Sequence, residues 1–343
     1  MKRINLKELA NLLNLSTSSV SKALRDSHEI SEETKKKVRE FAVKHNYSPN
    51  PYATSLRKKK SKTIAVILPE VADNYFSLAI NGIQKVAEAR GYHLLIYLSH
   101  EKYSIEKAVL EECSNGRVDG VLISISSETT DHSHLQKLVN ENIPLVFFDR
   151  APEDFNASKV ITNDYDCGYF TAMHLIEDGC TNPVFLSMSS ALPICHRRAE
   201  GFKAAVFATG IASDPNKLVH YCDGTEEESM KKIHELFESK NRPDGVVASV
   251  ERLAIQTYMV AQESEINIPK EVKVIAFSTL ETAPILNPPL STITQPAYDT
   301  GTKAAELLFQ RIEKPLQYTQ PECIVLPSIF MERKSCIPKT HFL

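Results

Sequence analysis

Residues 14–26 of this 343-residue chain, NLSTSSVSKALRD, combine small polar side chains with a few apolar ones. Ser16 is suited to cap a helix, and Val20, Ala23 and Leu24 then fall on one face of that helix. Such a helix packs on one side and presents hydrogen-bonding groups on the other, so we expect it to contact a polar surface. The side chains on its polar face are Thr17, Ser18, Ser21, Lys22 and Arg25.

Two further helices are predicted on either side of this stretch. Asn5 and Glu8 form a capping-box pattern at the start of the first helix. Asn14 and Leu15 leave room only for a tight turn, so the first two helices form a helix-turn-helix, and a third helix begins after Ser31. The side chains expected to form the core of this headpiece are Leu6, Leu9, Ala10, Leu13, Val20, Ala23, Leu24, Val38, Phe41 and Ala42.

Charge is distributed unevenly along the chain. Residues 1–62 hold 15 Lys and Arg against 6 Asp and Glu, whereas the remaining residues hold 25 against 37. A basic head on an acidic body indicates that the head binds a polyanion, and nucleic acid is favoured over a membrane. Short hydroxyl side chains let a helix approach the major-groove floor, where Lys22 can contact a guanine or a phosphate. The alternative is a small helical bundle whose polar face is only solvated.

The segment after the third helix predicts a basic linker with one short helix. Residues 47–62, YSPNPYATSLRKKKSK, contain two prolines that suit a helix start and the basic run Lys58–Lys60. Leu56 is an apolar side chain among basic ones, as a wedge inserted into the minor groove requires. The alternative is that Leu56 only packs one hinge helix on another.

The rest of the chain predicts two domains of parallel sheet. Strand-like runs alternate with helical segments such as residues 75–90 and 199–209, and the pattern occurs twice. The predicted fold is therefore α/β, with a three-helix headpiece before two lobes of parallel sheet flanked by helices. The strand-like runs are IAVIL, HLLIYLS, GVLIS, PLVFF, PVFLSM, KLVHYC, GVVAS and VKVIAF.

Several protein classes are disfavoured by what the sequence lacks. There is no run of eighteen apolar residues and no secretory h-region, which predicts a cytoplasmic protein without a membrane partner. The seven cysteines do not fall in a metal-ligand spacing, so we expect free, mostly buried thiols, with no metal and no cofactor. Because nucleotide-binding, zinc-protease and nucleophile-elbow motifs are missing, no catalytic residue is predicted and an enzyme is not expected.

Residues 1–62 resemble the DNA-binding head and hinge of the lactose-repressor (LacI/GalR) family of bacterial transcription regulators. The segments that match are LKELANLLNLSTSSVSKAL, ISEETKKKVREFA, NYSPNPYATSL and KTIAVILP, and the resemblance continues to about residue 333. It implies a headpiece over residues 1–47, a hinge over 48–61 and a body over 62–343 that resembles periplasmic binding proteins. The implied N-lobe comprises residues 62–162 and 293–324, and the implied C-lobe comprises 163–292 and 325–340.

The resemblance also implies two sets of site residues. The family's usual arginine is replaced by Thr54, the usual aspartate by Glu251, and the usual G-F-D segment by AFST at 276–279. Both aspartates of the effector set could instead cap helices, and both aromatic residues could only pack. The residues predicted to contact DNA are Thr17, Ser18 and Lys22 at bases, Ser16, Ser21, Arg25 and the run Lys58–Lys60 at phosphates, and Asn50, Ala53 and Leu56 in the hinge. The residues implied to contact the effector are Tyr75, Phe76, Asp149, Arg150, Asp164, Arg198 and Glu251.

The function predicted from these features is that of a ligand-responsive repressor, which binds near-palindromic operator DNA as a homodimer. Carboxylates and a guanidinium beside aromatic rings can bind vicinal hydroxyls, so the expected effector is a sugar or sugar derivative, with a purine-like base second. The alternative from another class is a two-lobed solute-binding protein without a DNA role.

Overall fold

A computed structural model describes residues 4–47, 60–317 and 320–336. The chain divides into two compact units at the junction of Ser61 and Lys62. All seven cysteines are free thiols, and every one except Cys323 is buried. Within the described ranges, no helix is both long and apolar enough to cross a bilayer.

The headpiece, residues 4–47, has the helices that the sequence predicts. They are α1 (Leu6–Leu12), α2 (Thr17–Leu24) and α3 (Glu32–Lys44). Asn5 and Glu8 form the predicted capping box at α1, whereas Ser16 and Ser31 cap α2 and α3 through their hydroxyl groups. Asn14 adopts a φ of 53°, which an asparagine tolerates better than most residues, and so closes the turn between α1 and α2.

The core of the headpiece also follows the sequence pattern. Apolar side chains at helical spacing on all three helices meet in one cluster, because each helix is too short to bury its apolar face alone. The polar face of α2 is therefore left on the outside. The buried residues are Leu9, Ala10, Leu13, Val20, Ala23, Val38 and Ala42, and Leu6, Leu24 and Phe41 pack partly buried around them.

The N-lobe of the body is built on a parallel sheet. Its elements, in chain order, are β1 (Thr63–Leu68), α4 (Asn74–Ala89), β2 (His93–Leu98), α5 (Tyr103–Cys113), β3 (Val121–Ile123), α6 (Ser133–Asn140), β4 (Leu145–Phe148), β5 (Ser158–Thr162), α11 (Ala297–Glu313) and β11 (Cys323–Leu326). Among the described residues the strand order is β11-β5-β4-β3-β1-β2. Helices cover both faces, and so the central strands are apolar along their whole length.

The C-lobe repeats this arrangement. Its elements are α7 (Asp164–Glu177), β6 (Pro183–Ser187), α8 (Pro193–Ala208), β7 (Val219–Tyr221), α9 (Glu226–Glu238), β8 (Gly245–Ala248), α10 (Glu251–Glu263), β9 (Lys273–Phe277), β10 (Ser291–Thr294) and β12 (Ile329–Met331). Among the described residues the strand order is β12-β10-β9-β8-β6-β7, and β12 runs antiparallel to β10. The carboxyl ends of the parallel strands in both lobes are the places where such folds bind ligands.

The chain crosses between the lobes three times. The first crossing follows Thr162, at the end of β5. The other two lie two residues later than the boundaries 293 and 325 that the resemblance implies. Strand β10 continues to Thr294, which pairs with β12 in the C-lobe, and β11 continues to Leu326, which pairs with β5 in the N-lobe. The implied boundaries therefore fall inside paired strands.

Helices α7 and α8 approach each other at two glycines. A Cβ on Gly168 would lie 2.0 Å from the carbonyl oxygen of Arg198, and a Cβ on Gly201 would lie 2.0 Å from that of Tyr165. Any larger residue at either position would force the helices apart. The glycines therefore bring the first turn of α7 beside the first half of α8, where the polar residues of the candidate site lie.

Candidate functional sites

The polar face of α2 is the candidate DNA-contacting surface. Ser16, Thr17, Ser18 and Arg25 are exposed, and Ser21 and Lys22 are partly exposed. The Arg25 guanidinium donates to the Ser21 carbonyl at 2.9 Å and to its hydroxyl at 3.2 Å, so it lies along the helix surface. Asn50, Ala53, Leu56, Lys58 and Lys59 lie outside the described residues.

Lys22 has a partner that the sequence analysis missed. Its ammonium pairs with the carboxylate of Glu29, which lies in the loop between α2 and α3. The hydrogen bond from Lys22, together with its charge, lowers the pKa of Glu29. No helical spacing relates the two residues, and so no periodic pattern could have indicated this contact.

The second candidate site is a cleft between the two lobes of the body. Six of the seven effector residues implied by the resemblance line it together: Tyr75, Phe76, Asp149, Arg150, Arg198 and Glu251. The seventh, Asp164, lines an adjoining space in the same cleft, beside Asp149. The lining residues that the sequence analysis did not name as effector contacts are Asp73, Ile194, Val250, Phe277, Ser278, Thr279 and Gln295. Most of these follow strand ends, which is the position at which parallel sheets bind ligands.

Arg198 is the most deeply buried charged residue of the cleft. It donates through Nε to the Asp164 carboxylate at 2.7 Å and through Nη1 to the Ser249 carbonyl at 2.6 Å. Its guanidinium also lies over the ring of Phe277, 4.2 Å from the centroid. Although burial opposes it, the charge of Asp164 raises the pKa of Arg198. The Nη2 atom has no hydrogen-bond partner among the described residues.

Asp164 is the first residue of α7, and its carboxylate bonds Arg198 in the neighbouring helix. The sequence allows two roles for this residue, which are to cap a helix and to contact the effector. The N-cap of α7 is Asn163, and no side-chain cap bond forms there. Asp164 therefore does not cap α7, and its carboxylate orients the Arg198 guanidinium. The close approach of the two helices at Gly168 makes this ion pair possible.

Asp149 and Arg150 follow β4 and face the cleft from the N-lobe. Asp149 adopts a φ of 59°, in the left-handed region that aspartate, like asparagine, tolerates better than most residues with a side chain. Burial raises the pKa of Asp149 to about 7, against the opposing charges of Arg150 and Arg198. Arg150 donates to the Glu101 carboxylate at 2.7 Å, and Glu101 also accepts from the Ser127 amide.

Glu251 and Ser278 are two positions at which the sequence departs from the family pattern, and they contact each other. The Ser278 hydroxyl donates to the Glu251 carboxylate at 2.9 Å. Because Glu251 is longer than the family's usual aspartate, its carboxylate reaches the short side chain of Ser278 that faces it. Burial raises the pKa of Glu251, and the nearby charge of Asp73 raises it further.

Direct contacts join the lobes on both sides of the cleft. Asn74 of the N-lobe donates to the Thr279 carbonyl of the C-lobe. On the other side, Arg197 of the C-lobe pairs with Glu153 of the N-lobe at 2.9 Å. The space between the polar side chains has a volume of about 30 Å³. The lobes are therefore closed on each other in this structure.

A larger surface groove lies elsewhere, between α5 and α6. It has a volume of about 250 Å³ and is lined largely by exposed residues such as Lys107, Glu111 and Lys137. Its exposed polar groups are solvated, its buried His134 is already bonded to Glu106, and all of them come from one lobe. The interlobe cleft is the better candidate, because its charged groups are buried and converge from both lobes.

Comparison with known families agrees with this architecture. The family profile for bacterial regulatory proteins of the lacI family matches residues 5–50. The profile for periplasmic binding proteins and the sugar-binding domain of the LacI family matches residues 61–334. Together they define a regulatory protein with a helix-turn-helix headpiece and a periplasmic-binding-protein-like body. The chain belongs to the LacI family, and it is a ligand-responsive, DNA-binding transcriptional regulator. The family consists of regulators rather than enzymes.

Individual relatives resemble the chain over nearly its whole length. It is 28% identical over 313 residues to the HTH-type transcriptional repressor PurR of Vibrio atlanticus (strain LGP32), covering 90% of this chain and 92% of that protein. It is 26% identical over 332 residues to the ribose operon repressor of Haemophilus influenzae (strain ATCC 51907 / DSM 11121 / KW20 / Rd), covering 95% and 98%. A solute-binding protein without a DNA role would not account for the regulatory headpiece that this chain shares with these repressors.

Solved structures confirm the predicted fold class. The lac repressor dimer bound to operator and the anti-inducer ONPF has a TM-score of 0.85 at 19% identity, covering 98% of this chain and 100% of that one. A complex of the transcriptional regulator CelR with cellobiose has a TM-score of 0.72 at 23% identity, covering 97% and 100%. At these identities the likeness is one of fold.

Proposed function

We propose that this chain is a cytoplasmic repressor that binds a near-palindromic operator as a homodimer. A small ligand held between its lobes sets the affinity for DNA. The observation that supports this function best is the convergence of buried charged groups from both lobes on one cleft, in a chain that also carries a DNA-binding headpiece. The similarity to the HTH-type transcriptional repressor PurR and to a ribose operon repressor agrees with it.

DNA recognition is assigned to the polar face of α2 and to the hinge. Thr17, Ser18 and Lys22 contact bases in the major groove, because their short or flexible side chains allow close approach. Ser16, Ser21 and Arg25 bind phosphates, together with the run Lys58–Lys60. Asn50, Ala53 and Leu56 contact the operator centre. A dimer is proposed because one headpiece of this size supplies too few contacts for tight operator binding.

The effector is assigned to the interlobe cleft, with Tyr75, Phe76, Asp149, Arg150, Asp164, Arg198 and Glu251 as its ligand-binding residues. Carboxylates accept from hydroxyls, and the free Nη2 of Arg198 donates to an oxygen. A sugar or sugar derivative satisfies both kinds of group. A purine-like base is the second candidate, because Tyr75 and Phe76 offer aromatic surface and PurR proteins are among the relatives.

Ligand entry and DNA affinity are linked through the closed cleft. Pockets for small ligands commonly have volumes of about 300–1,000 Å³, whereas the space between these lobes is about 30 Å³. A ligand of sugar size therefore separates the lobes as it enters, which breaks contacts such as the Asn74–Thr279 hydrogen bond. Because the ligand favours one lobe arrangement over another, it shifts the population of headpieces able to bind DNA.

The function is tested by selection of binding sites from random-sequence DNA with the full-length protein. We expect enrichment of a near-palindromic sequence whose affinity changes when sugars or nucleobases are added. Gel filtration of the complex should give two chains per duplex. Failure to enrich any sequence contradicts DNA recognition, and an affinity that no ligand changes contradicts the effector role of the cleft.

A further inference from the structure

We propose that the interlobe cleft accepts polyhydroxyl ligands without a phosphate group and excludes their phosphate esters by charge. This inference rests on the proposed function and narrows its ligand class. It follows from the number, position and pairing of the charged groups in and around the cleft. The central groups are five carboxylates and two guanidiniums: Asp73, Glu101, Asp149, Asp164 and Glu251, with Arg150 and Arg198. At the edge of the adjoining space, Arg197 pairs with Glu153, and the Lys159 ammonium donates to the backbone carbonyls of Pro152 and Glu153.

Both guanidiniums are already neutralised by carboxylates of their own. Arg198 is bound to Asp164 at 2.7 Å, and both side chains are almost fully buried. Arg150 is bound to Glu101 at 2.7 Å, and Glu101 is fixed in turn by the Ser127 amide. A phosphate that displaced Glu101 from Arg150 would leave that carboxylate without its partner, which is unfavourable in a partly buried site. The free Nη2 of Arg198 can donate to a ligand oxygen, but Asp164 already offsets the charge of this guanidinium, so Arg198 adds little net attraction for an anion.

Asp73 and Glu251 have no arginine or lysine at ion-pair distance among the described residues, whereas Asp149 lies 3.8 Å from the Nε of Arg150. Asp73 accepts from the Tyr75 amide and Glu251 from the Ser278 hydroxyl, so both are held by neutral donors. The charge of Asp73 raises the pKa of both Asp149 and Glu251, which shows that the three groups lie in one another's field. Asp73 and Glu251 therefore make the field in the cleft negative, and Asp149, with a pKa of about 7, adds its charge as the pH rises.

A neutral polyol fits the remaining hydrogen-bonding groups. Its hydroxyls donate to the three carboxylates and accept from Arg198 Nη2 and from Thr279 Oγ1, both of which are unpartnered among the described residues. A phosphate dianion has no proton to donate to these carboxylates, and their negative charge repels it. The cleft should therefore bind a sugar or nucleoside much more tightly than the phosphate ester of the same compound.

The experiment compares matched pairs on the full-length protein by isothermal titration. The probes are D-ribose with D-ribose 5-phosphate, D-glucose with D-glucose 6-phosphate, and adenosine with adenosine 5′-monophosphate. We expect at least one parent compound to bind and its ester to bind at least about tenfold more weakly. A tenfold ratio is equivalent in free energy to a pKa shift of one unit. An ester that binds as well as its parent, or more tightly, overturns the proposal.

Two isosteric variants test the cause of the discrimination. Asp73→Asn keeps a residue that can cap α4, and Glu251→Gln keeps an acceptor for Ser278. Each should narrow the parent-to-ester ratio severalfold, whereas Glu281→Gln, which removes an exposed carboxylate of the C-lobe, should not change it. An unchanged ratio in both cleft variants overturns the charge mechanism. If none of the six compounds binds, the sugar or nucleobase class in the proposed function fails, and this inference fails with it.

Discussion

The ammonium of Lys22, on the polar side of α2 that we propose faces DNA, is paired with the carboxylate of Glu29 from the following loop. This places a negative charge beside the residue assigned to guanine recognition. DNA phosphates repel such a charge, so the pair must open, or Glu29 must accept from a base amino group, when the headpiece binds. The two possibilities predict different effects of removing the carboxylate.

We expect Glu29→Gln to tighten binding to every duplex a few-fold, because it frees Lys22 and removes repulsion from the phosphates. Dissociation constants for a selected operator and a random duplex, at two salt concentrations, measure this effect. Glu33→Gln, which removes an exposed carboxylate from the first turn of α3, is the matched control. Weaker binding of the operator alone would show instead that Glu29 accepts from a base.

Lys22→Ala should cost about 1–3 kcal/mol on the operator and relax the preference at one base pair, since a guanine contact is lost. Competition between the operator and its single-base variants gives both quantities. An equal loss on operator and random DNA would make Lys22 a phosphate contact.

Leu56→Ala should weaken operator binding and reduce the bend of the duplex, because an apolar wedge in the minor groove unstacks a base step. Circular-permutation gel shifts measure the bend angle. Leu12→Ala, at an exposed position of α1, controls for loss of apolar surface. A bend that stays the same while affinity falls would assign Leu56 to packing between hinge helices.

The sequence predicts the headpiece closely, because local rules determine it. The caps at Asn5, Ser16 and Ser31 and the apolar spacing of three short helices are all determined within about ten residues. The Lys22–Glu29 pair was missed because it depends on the path of an irregular loop. Local patterns predict helices and their caps but not contacts made by loop side chains.

The cleft was predictable only in part. Motifs named both arginines and three of the five carboxylates, but neither Asp73 nor Glu101. Asp73 was missed because a helix N-cap gives no sign of a ligand role in the sequence. The Glu251–Ser278 hydrogen bond could not be predicted, because it joins a helix start to a strand end 27 residues away. The implied boundaries 293 and 325 fall inside β10 and β11, because strand pairing, rather than composition, determines where a strand ends at a lobe boundary.

Asp149 should make stability depend on pH. Burial raises its pKa to about 7 in the folded protein, whereas an unfolded aspartate titrates near pH 3.9. The folded state thus holds the proton more tightly, so the contribution to stability is complete below about pH 4 and is lost as the pH rises through about 7. Relative to Asp149→Asn, the free energy of unfolding should fall by on the order of 2 kcal/mol between pH 5 and pH 8, as measured in urea. Parallel curves for the two proteins would contradict this assignment.

Arg198 should be required for the effector's influence on DNA affinity, because it is the cleft donor with an unpartnered Nη2. Its removal also leaves Asp164 buried without its charged partner, a change that commonly costs about 3–5 kcal/mol. Arg198→Ala should therefore lower the melting temperature as well as abolish the ligand response.

Arg198→Lys separates these effects, because lysine keeps the charge beside Asp164 but not the planar group that stacks on Phe277. In that variant we expect a folded protein that binds operator without ligand and responds at least about tenfold less sensitively to the effector. The measurement is operator affinity across an effector titration, with melting curves taken in parallel. A full ligand response in Arg198→Lys and Arg198→Ala together would place the effector outside this cleft.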